Sequence, residues 1–201
     1  MKKILSLVAM LMLTMAASAQ ITWNVKGGIG FSACYGSTEG LKAHMVGKAG
    51  VGIEYPLSAN FSLMPSVEVA IKGCELDKDK YLWYTEDGKY HNGGTMEFVY
   101  LQIPILGAYR FNLNDSWNIT AKAGPYFAYG VDGKFKVDNE EVNLYKDTNA
   151  KRFDVGVDVG VDFEYHRFVF GAEYEIGFSN MSSGDNTIKN MAFYLTVGYK
   201  F

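Results

Sequence analysis

The chain has 201 residues and a formal charge of −3; 48% of its residues are hydrophobic, 15% aromatic and 20% charged. This composition is too apolar for a disordered chain, and the weak negative charge argues against a nucleic-acid-binding protein, which needs a basic face. Two cysteines are too few for a disulfide-dense scaffold, and the length favours one domain.

The N-terminus has the features of a secretory signal peptide. Met1–Lys3 is a short positive start, residues 4–16 are almost wholly apolar, and residues 17–19 (Ala-Ser-Ala) form a small-residue cleavage site. The apolar run is short for a membrane-spanning helix. We therefore expect residues 1–19 to be a cleaved signal peptide and residues 20–201 to form one domain in an oxidising compartment.

Alternation of apolar residues with small or polar residues predicts eight β-strands in the remaining chain, because side chains of a strand point to opposite faces in turn. In chain order the predicted strands are residues 23–35, 43–55, 61–71, 97–111, 117–131, 153–165, 168–178 and 191–201. The sixth is the clearest, since Phe, Val or Tyr at every odd position alternates with Asp, Gly or Glu. No helix is predicted after the signal peptide.

The connections between these strands alternate in length. Short links follow the second, fourth and sixth strands, whereas longer loops, above all residues 75–94 and 132–151, follow the odd-numbered strands. Outer-membrane barrels show this asymmetry, with short periplasmic turns and longer extracellular loops. We therefore expect the long loops to be extracellular and both termini to be periplasmic.

The direction of the apolar face separates a membrane barrel from a soluble lipocalin-like barrel, which also alternates. The lumen of an eight-stranded barrel is just wide enough to be filled by side chains, and the aromatic face of these strands would overfill it. The opposite face is rich in Gly, Ala, Ser and Thr with scattered charges, which fits. The sequence thus predicts an all-β fold: an eight-stranded antiparallel up-and-down transmembrane β-barrel with a side-chain-filled lumen.

Several stretches resemble a known family. Residues 100–111 (YLQIPILGAYRF), 123–130 (AGPYFAYG) and 153–165 (FDVGVDVGVDFEY) look like the small outer-membrane β-barrel domain proteins of Bacteroidetes, often described as OmpX-like or PorT-like. The ending of the chain at Phe201 is similar to the signal that such barrels present to their insertion machinery. The resemblance implies an integral protein surrounded by outer-membrane lipid, with the insertion machinery as a partner through Phe201. It implies no particular activity.

Charged residues of both signs share the inward face in near balance, which favours a mutually compensating network over an ion pathway of one sign. The candidate members of this lumen charge network are Lys48, Glu68, Lys122, Asp158, Asp162, Glu173, Glu175 and Lys200. A turn about Ser58 would place Lys48 directly opposite Glu68, and a turn at residues 166–167 would place Asp158 opposite Glu175. The alternative is a cation or proton site built on Asp158, Asp162, Glu173 and Glu175.

The two cysteines are predicted to point inward near the outer ends of the first and third strands. Because the second strand separates Cys34 from Cys74, the distance of two strand spacings, each about 4.8 Å, exceeds the usual Cα separation of a disulfide. We therefore expect two buried thiols, with a bridge as the alternative if the chain at Cys74 is flexible.

Signals for catalysis and metal binding are weak. His91 lies in an acidic loop, but no Ser, Cys or second His stands near it in a recognised spacing, and the loop lacks an EF-hand-like pattern. We therefore expect no enzymatic activity, no metal and no cofactor.

The loop of residues 75–94 is the best candidate for a binding surface. It carries four aromatic residues, which supply large contact areas when exposed: Tyr81, Trp83, Tyr84 and Tyr90. We expect an envelope-structural or surface interaction and adhesion protein that meets an extracellular partner through its loops. The alternatives are an accessory component of protein secretion, similar to PorT and with a secretion-system partner, and a narrow channel or small-ligand carrier.

Overall fold

A computed structural model describes residues 21–37, 40–77, 79, 82–84, 90–137, 140–147, 150–182 and 187–201. The signal peptide of residues 1–19 lies outside these residues and stays a prediction. Among the described residues, no helix is long and apolar enough to cross a bilayer.

The described chain is almost entirely β-structure. In chain order its elements are β1 (Thr22–Gly36), β2 (Leu41–Lys42), β3 (His44–Pro56), β4 (Phe61–Leu76), β5 (Leu82–Tyr84), β6 (Tyr90–Asn92), β7 (Gly94–Asn112), β8 (Trp117–Val137), β9 (Glu140–Asn143), α1 (Leu144–Asp147), β10 (Phe153–Tyr165), β11 (Phe168–Gly177) and β12 (Ile188–Lys200). Each of the eight predicted strands corresponds to one of the long strands.

The eight long strands close into an antiparallel barrel in the order β1–β3–β4–β7–β8–β10–β11–β12, and β12 pairs back with β1. The closing pair runs from Asn24 opposite Lys200 to Gly36 opposite Ile188. The predicted eight-stranded barrel is therefore confirmed. Closure pairs both edges of every barrel strand, as the hydrocarbon core of a membrane requires.

The two faces of the barrel wall are segregated as the alternation predicts. Large apolar side chains point outward and stay exposed in the isolated chain, among them Ile29, Phe31, Val157, Phe170 and Leu195. Lys48, Asp158 and Glu173 point inward and are buried. An outer belt of exposed apolar side chains around a charged lumen is suited to lipid surroundings and is the reverse of a soluble barrel.

The two ends of the barrel differ. At the turn end, where short links join the strands, aromatic rings pack in pairs: Trp117 with Tyr165 at 4.5 Å between centroids, and Phe168 with Tyr199 at 5.4 Å. Aromatic rings of this kind commonly lie at the level of the lipid headgroups. At the opposite end, the loop end, which carries the longer loops, two strands extend further than a membrane span requires.

Strands β7 and β8 carry the barrel wall beyond the membrane at the loop end. They have 19 and 21 residues, whereas a tilted transmembrane strand needs roughly 9–11. A bulge leaves Val131 without a direct partner, because Val99 pairs with Asp132 and Tyr100 pairs with Gly130. Beyond the bulge, β9 pairs with β8 and widens the projecting sheet.

The two cysteines form a disulfide, so the expectation of free thiols is wrong. Their Cα atoms lie 5.5 Å apart. Strand β3 begins at His44, which pairs with Ser32, so β3 no longer separates β1 from β4 at the height of Cys34. The backbone N–H of Gly73 donates a hydrogen bond to Ser32 Oγ at 3.0 Å, which holds β4 against β1.

Candidate functional site

Nine charged side chains from six strands meet inside the lumen and form what we call the central charge cluster. Its members are Lys26, Lys48, Lys72, Lys122, Glu68, Asp158, Asp162, Glu173 and Glu175. All are buried except Lys26, which is partly so. All nine occupy inward-facing positions of their strands, because every second side chain of a barrel strand points to the lumen.

Lys48 bridges three carboxylates. Its Nζ lies 2.9 Å from Glu175 Oε1 and 3.5 Å from Glu68 Oε2, and it also contacts Glu173 Oε2. The same ammonium stands over the ring of Tyr194, 4.7 Å from its centroid. Since the side chain is fully buried, these carboxylates replace the water that an exposed lysine would have.

Glu173 links the lysines on the turn side of the cluster. Its Oε1 accepts hydrogen bonds from Lys26 Nζ at 3.0 Å and Lys122 Nζ at 2.6 Å. Lys122 also donates to Asp162 at 2.6 Å, and Lys26 lies 2.8 Å from Glu68. A charge in this group therefore has more than one partner of opposite sign.

Glu175 links the lysines on the loop side. Its Oε2 lies 2.7 Å from Lys72 Nζ, and its Oε1 accepts hydrogen bonds from Lys48 and from the side-chain amide of Gln102, the latter at 3.0 Å. Lys72 Nζ also stands 4.0 Å from the centroid of the Tyr126 ring, in a cation–π contact.

The sequence placed Asp158 opposite Glu175, and this pairing is confirmed. The predicted pairing of Lys48 with Glu68 is wrong, because Lys48 lies opposite Ala70 and Glu68 opposite Gly50. The backbone N–H groups of residues 57 and 58 both bond to the carbonyl of residue 61, so the turn is centred later than Ser58. Long side chains still bring Lys48 and Glu68 together.

Lys200, the eighth candidate, belongs to a separate group at the turn end. Its Nζ lies 2.8 Å from both Glu54 Oε2 and Glu164 Oε1, and Arg110 Nη2 donates to Glu54 Oε1 at 2.6 Å. Two cations face two carboxylates, so this group is balanced.

A small cavity separates the two groups. Its volume is about 30 Å³, and its lining includes Lys26, Lys122, Asp162, Thr196 and Lys200. A cavity of this size has room for at most about two water molecules, so a sugar or a fully hydrated ion would not fit.

An apolar layer closes the lumen at the loop end. It is formed by the Cys34–Cys74 bridge and inward-pointing rings, with Phe98, Tyr100, Tyr126, Tyr145 and Met181 among its members. Tyr145 comes from α1, and Arg152 covers its ring at 4.2 Å. A Cβ at Gly130 would overlap the Tyr145 hydroxyl, so this glycine makes room for the ring.

Sequence reasoning missed the inward tyrosines Tyr100, Tyr126 and Tyr194, each less than 2% exposed. The signal was present, since each occupies a position of the polar, inward parity. Residue type and position disagree here, because aromatic residues generally favour the lipid face whereas these three positions face the lumen.

A third charged group lies at the loop end, beyond the membrane-spanning part of β7. Glu97 Oε2 accepts a hydrogen bond from Lys136 Nζ at 2.6 Å, and Glu97 Oε1 lies 3.0 Å from His44 Nε2. The hydrogen bond from Lys136 is the largest influence on the pKa of Glu97 and, with His44, holds it below its usual value against the opposing effect of burial.

One set of carboxylates has the spacing of a cation site. Oxygen atoms of Glu68, Glu173 and Glu175 lie within 4.8 Å of one another. Lys48 contacts all three, so the protein supplies its own cation at this point and a metal ion would have to displace it.

The aromatic loop candidates fall only partly within the described residues. The backbone of Trp83, Tyr84 and Tyr90 lies in the β5–β6 hairpin, where Tyr84 pairs with Tyr90 and Trp83 with His91. Tyr81 lies outside the described residues. The hairpin thus brings three of the four candidates into one short two-stranded sheet.

Comparison with known proteins agrees with this architecture. The family model described as "Outer membrane protein beta-barrel domain" matches residues 15–183. Neisserial surface protein A has 10% sequence identity and a TM-score of 0.52, over 89% of this chain and 97% of that chain. Ail of Yersinia pestis has 15% identity and a TM-score of 0.48, over 90% and 99%. No curated protein matches the sequence.

Proposed function

Because the chain belongs to the outer membrane protein beta-barrel domain family, we propose that this integral outer-membrane barrel has no open pore and acts through its loop end. Its role is that of a surface interaction and adhesion protein or a structural protein of the envelope. The proposal includes the absence of enzymatic activity.

The closed lumen is the observation that carries this proposal. Ion pairs of the central charge cluster and the apolar layer around Tyr100 and Tyr145 fill the described lumen in succession. A solute would have to separate Lys48 from its carboxylates, and breaking a buried ion pair costs roughly 3–5 kcal/mol. This disfavours the channel and carrier alternatives.

The projecting strands support an interaction role. β7, β8 and β9 form a hydrogen-bonded sheet beyond the membrane, and the β5–β6 hairpin lies in the loop between β4 and β7. Residues held in a paired hairpin lose less conformational entropy when a partner docks than the same residues in an irregular loop. We assign the binding surface to Tyr81, Trp83, Tyr84 and Tyr90, with an extracellular protein as the partner.

The orientation follows from the same asymmetry. We place the loop end outside the cell and the turn end, where the N–H of Phe201 donates to the carbonyl of Trp23 at 2.8 Å, on the periplasmic side. Phe201 would there be accessible to the insertion machinery during assembly.

The closed lumen predicts the electrical behaviour of the purified barrel. Reconstituted into planar lipid bilayers, it should give no resolvable single-channel current at moderate voltage, because ions would have to displace the buried lysines. A porin inserted into the same bilayer serves as the positive control. Sustained, reproducible conductance steps would contradict the proposal and favour the channel alternative.

The binding surface predicts the effect of removing its aromatic rings. Changing Tyr81, Trp83, Tyr84 and Tyr90 together to Ser should abolish crosslinking to the surface partner in whole cells, because the contact area is lost, while the barrel still folds. The matched control is Val142→Ser, an exposed residue of β9 at the same end.

Pull-down of the crosslinked barrel followed by mass spectrometry identifies the partners bound by the wild type and by each variant. An unchanged set of partners in the fourfold variant would refute the assignment of the surface. Capture of export-machinery components by the wild-type chain would instead favour the secretion alternative.

A further inference from the structure

Strand β10 places three aspartates at every fourth position on its inward face. Asp154, Asp158 and Asp162 are each at most 2% exposed, and Gly156 and Gly160 lie between them on the same face. The glycines leave space beside each aspartate for a side chain from another strand.

The outer two aspartates use this space for a partner. Asp154 accepts a hydrogen bond from the Tyr126 hydroxyl at 2.9 Å, and Asp162 accepts one from Lys122 Nζ at 2.6 Å. A Cβ at Gly156 would meet the Tyr126 ring at 2.6 Å, and a Cβ at Gly160 would lie 3.0 Å from Lys122 Cε. A larger residue at either glycine would therefore crowd the partner side chain and also the carbonyl oxygen of Ile176 or Ala172 on β11.

Asp158, between them, has no such partner. Neither of its carboxyl oxygens has a hydrogen bond within the described part of the chain, although the side chain is fully buried. Its direct neighbours across the strands are Gly124 on β8, which offers no side chain, and Glu175 on β11, which offers a second carboxylate.

The charged and titratable groups facing Asp158 come from four strands. Lys48 of β3 and Lys26 of β1 act on it with positive charge, and Glu175 and Glu173 of β11 act with negative charge. Tyr194 of β12 also interacts with it electrostatically. Both lysines are already engaged at shorter range by Glu68, Glu173 and Glu175.

Counting charges gives the same result. Without Asp158, the central charge cluster has four lysines and four carboxylates, and each carboxylate has a lysine Nζ at 2.6–2.8 Å. An ionised Asp158 would add one uncompensated negative charge. An unpaired buried charge is so unfavourable that the group neutralises itself where it can.

We propose that Asp158 is a proton-binding site of the folded barrel, holding one proton as a neutral carboxylic acid at neutral pH beside the ionised Glu175. The carboxylate of the unfolded chain takes this proton from water when the barrel closes, and an O–H bond forms on one carboxyl oxygen. The central charge cluster then has equal numbers of positive and negative charges.

Infrared spectroscopy of the folded protein in detergent micelles tests this directly. Wild-type protein at about pH 7 should show the carbonyl stretching band of a protonated carboxyl group, since an aspartate in water is ionised there. The difference spectrum between wild type and Asp158→Asn should contain this band, and that between wild type and Glu164→Gln should not. The latter is a matched control on the same strand and face, and its carboxyl group lies outside the central charge cluster, paired with Lys200.

Proton linkage gives a second measurement. Because the folded state would bind one more proton than the unfolded state, the unfolding equilibrium constant of the wild type should rise with pH by up to about tenfold per pH unit more than that of Asp158→Asn. Equal slopes for the two proteins, or a wild-type spectrum without the band, would overturn the proposal.

Two further outcomes are decisive. If Na⁺ or K⁺ compensates Asp158 instead, the wild type lacks the band and is stabilised by that salt relative to choline chloride, which also refutes the proposal. If Asp158→Asn does not fold, ¹³C labelling of aspartate carboxyl groups in the wild type decides. A band that does not shift on labelling excludes Asp158.

Discussion

Replacing Lys48 by Met should destabilise the barrel by about 3–5 kcal/mol, the range measured when one partner of a buried ion pair is removed. Lys48 contacts Glu68, Glu173 and Glu175, and its side chain has no exposed surface. Met has a similar volume, so loss of the positive charge, and not a cavity, would dominate the effect. Urea unfolding in micelles, followed by tryptophan fluorescence, measures the change in free energy.

The matched control for this variant is Lys134→Met. Lys134 pairs with Glu141 at 3.2 Å on the exposed part of β8, where an ion pair contributes about 1 kcal/mol or less. The double variant Lys48→Met with Glu173→Gln should recover part of the lost stability, because one uncompensated charge disappears while Lys26 keeps Glu68 and Lys122 keeps Asp162. Equal effects of Lys48→Met and Lys134→Met would show that the central charge cluster does not stabilise the barrel.

Removing the disulfide should cost about 2–4 kcal/mol, because the bridge closes a loop between residues separated by 40 positions and restricts the unfolded chain. The double variant Cys34→Ala with Cys74→Ala should therefore unfold at a lower urea concentration. The effect concentrates at the loop end, where the bridge joins β1 to β4 beyond the start of β3.

Reduction of the wild type supplies the control for this second result. Dithiothreitol should lower the unfolding midpoint of the wild type towards that of the double variant and should leave the double variant unchanged. The wild type should be unfolded and refolded under reducing conditions so that the reductant reaches the bridge. An unfolding midpoint that stays unchanged after this treatment would contradict a stabilising bridge.

Much of the fold could be predicted because two local patterns determine it. Alternation assigns each strand residue to lipid or lumen, and short turns fix the pairing of neighbouring strands. β10 was predicted with the bounds that the structure shows, and the tight turn at residues 166–167 correctly placed Asp158 opposite Glu175. The membership of Asp158, Asp162, Glu173 and Glu175 in one charged group follows from this register.

Other features depend on geometry that no local pattern records. The longer link of residues 57–60 can close in more than one register, so the pairing of Lys48 could not be deduced from it. The Cys34–Cys74 bridge depends on where β3 begins. The bulge at Val131 shifts the register of β8 beyond it, so the alternation seen earlier in the strand does not continue in phase into the extension. Tyr126 faces the lumen because of its position in the alternation of β8, although its aromatic ring would suggest the lipid face.

The seam between β12 and β1 joins the last strand of the chain to the first. Every hydrogen bond of this seam needs β12, so a chain truncated before Ile188 cannot close the barrel. Its two free edges, β1 and β11, would invite pairing with other chains. Loss of this one strand therefore turns a wall without edges into a sheet with two edges open to intermolecular pairing.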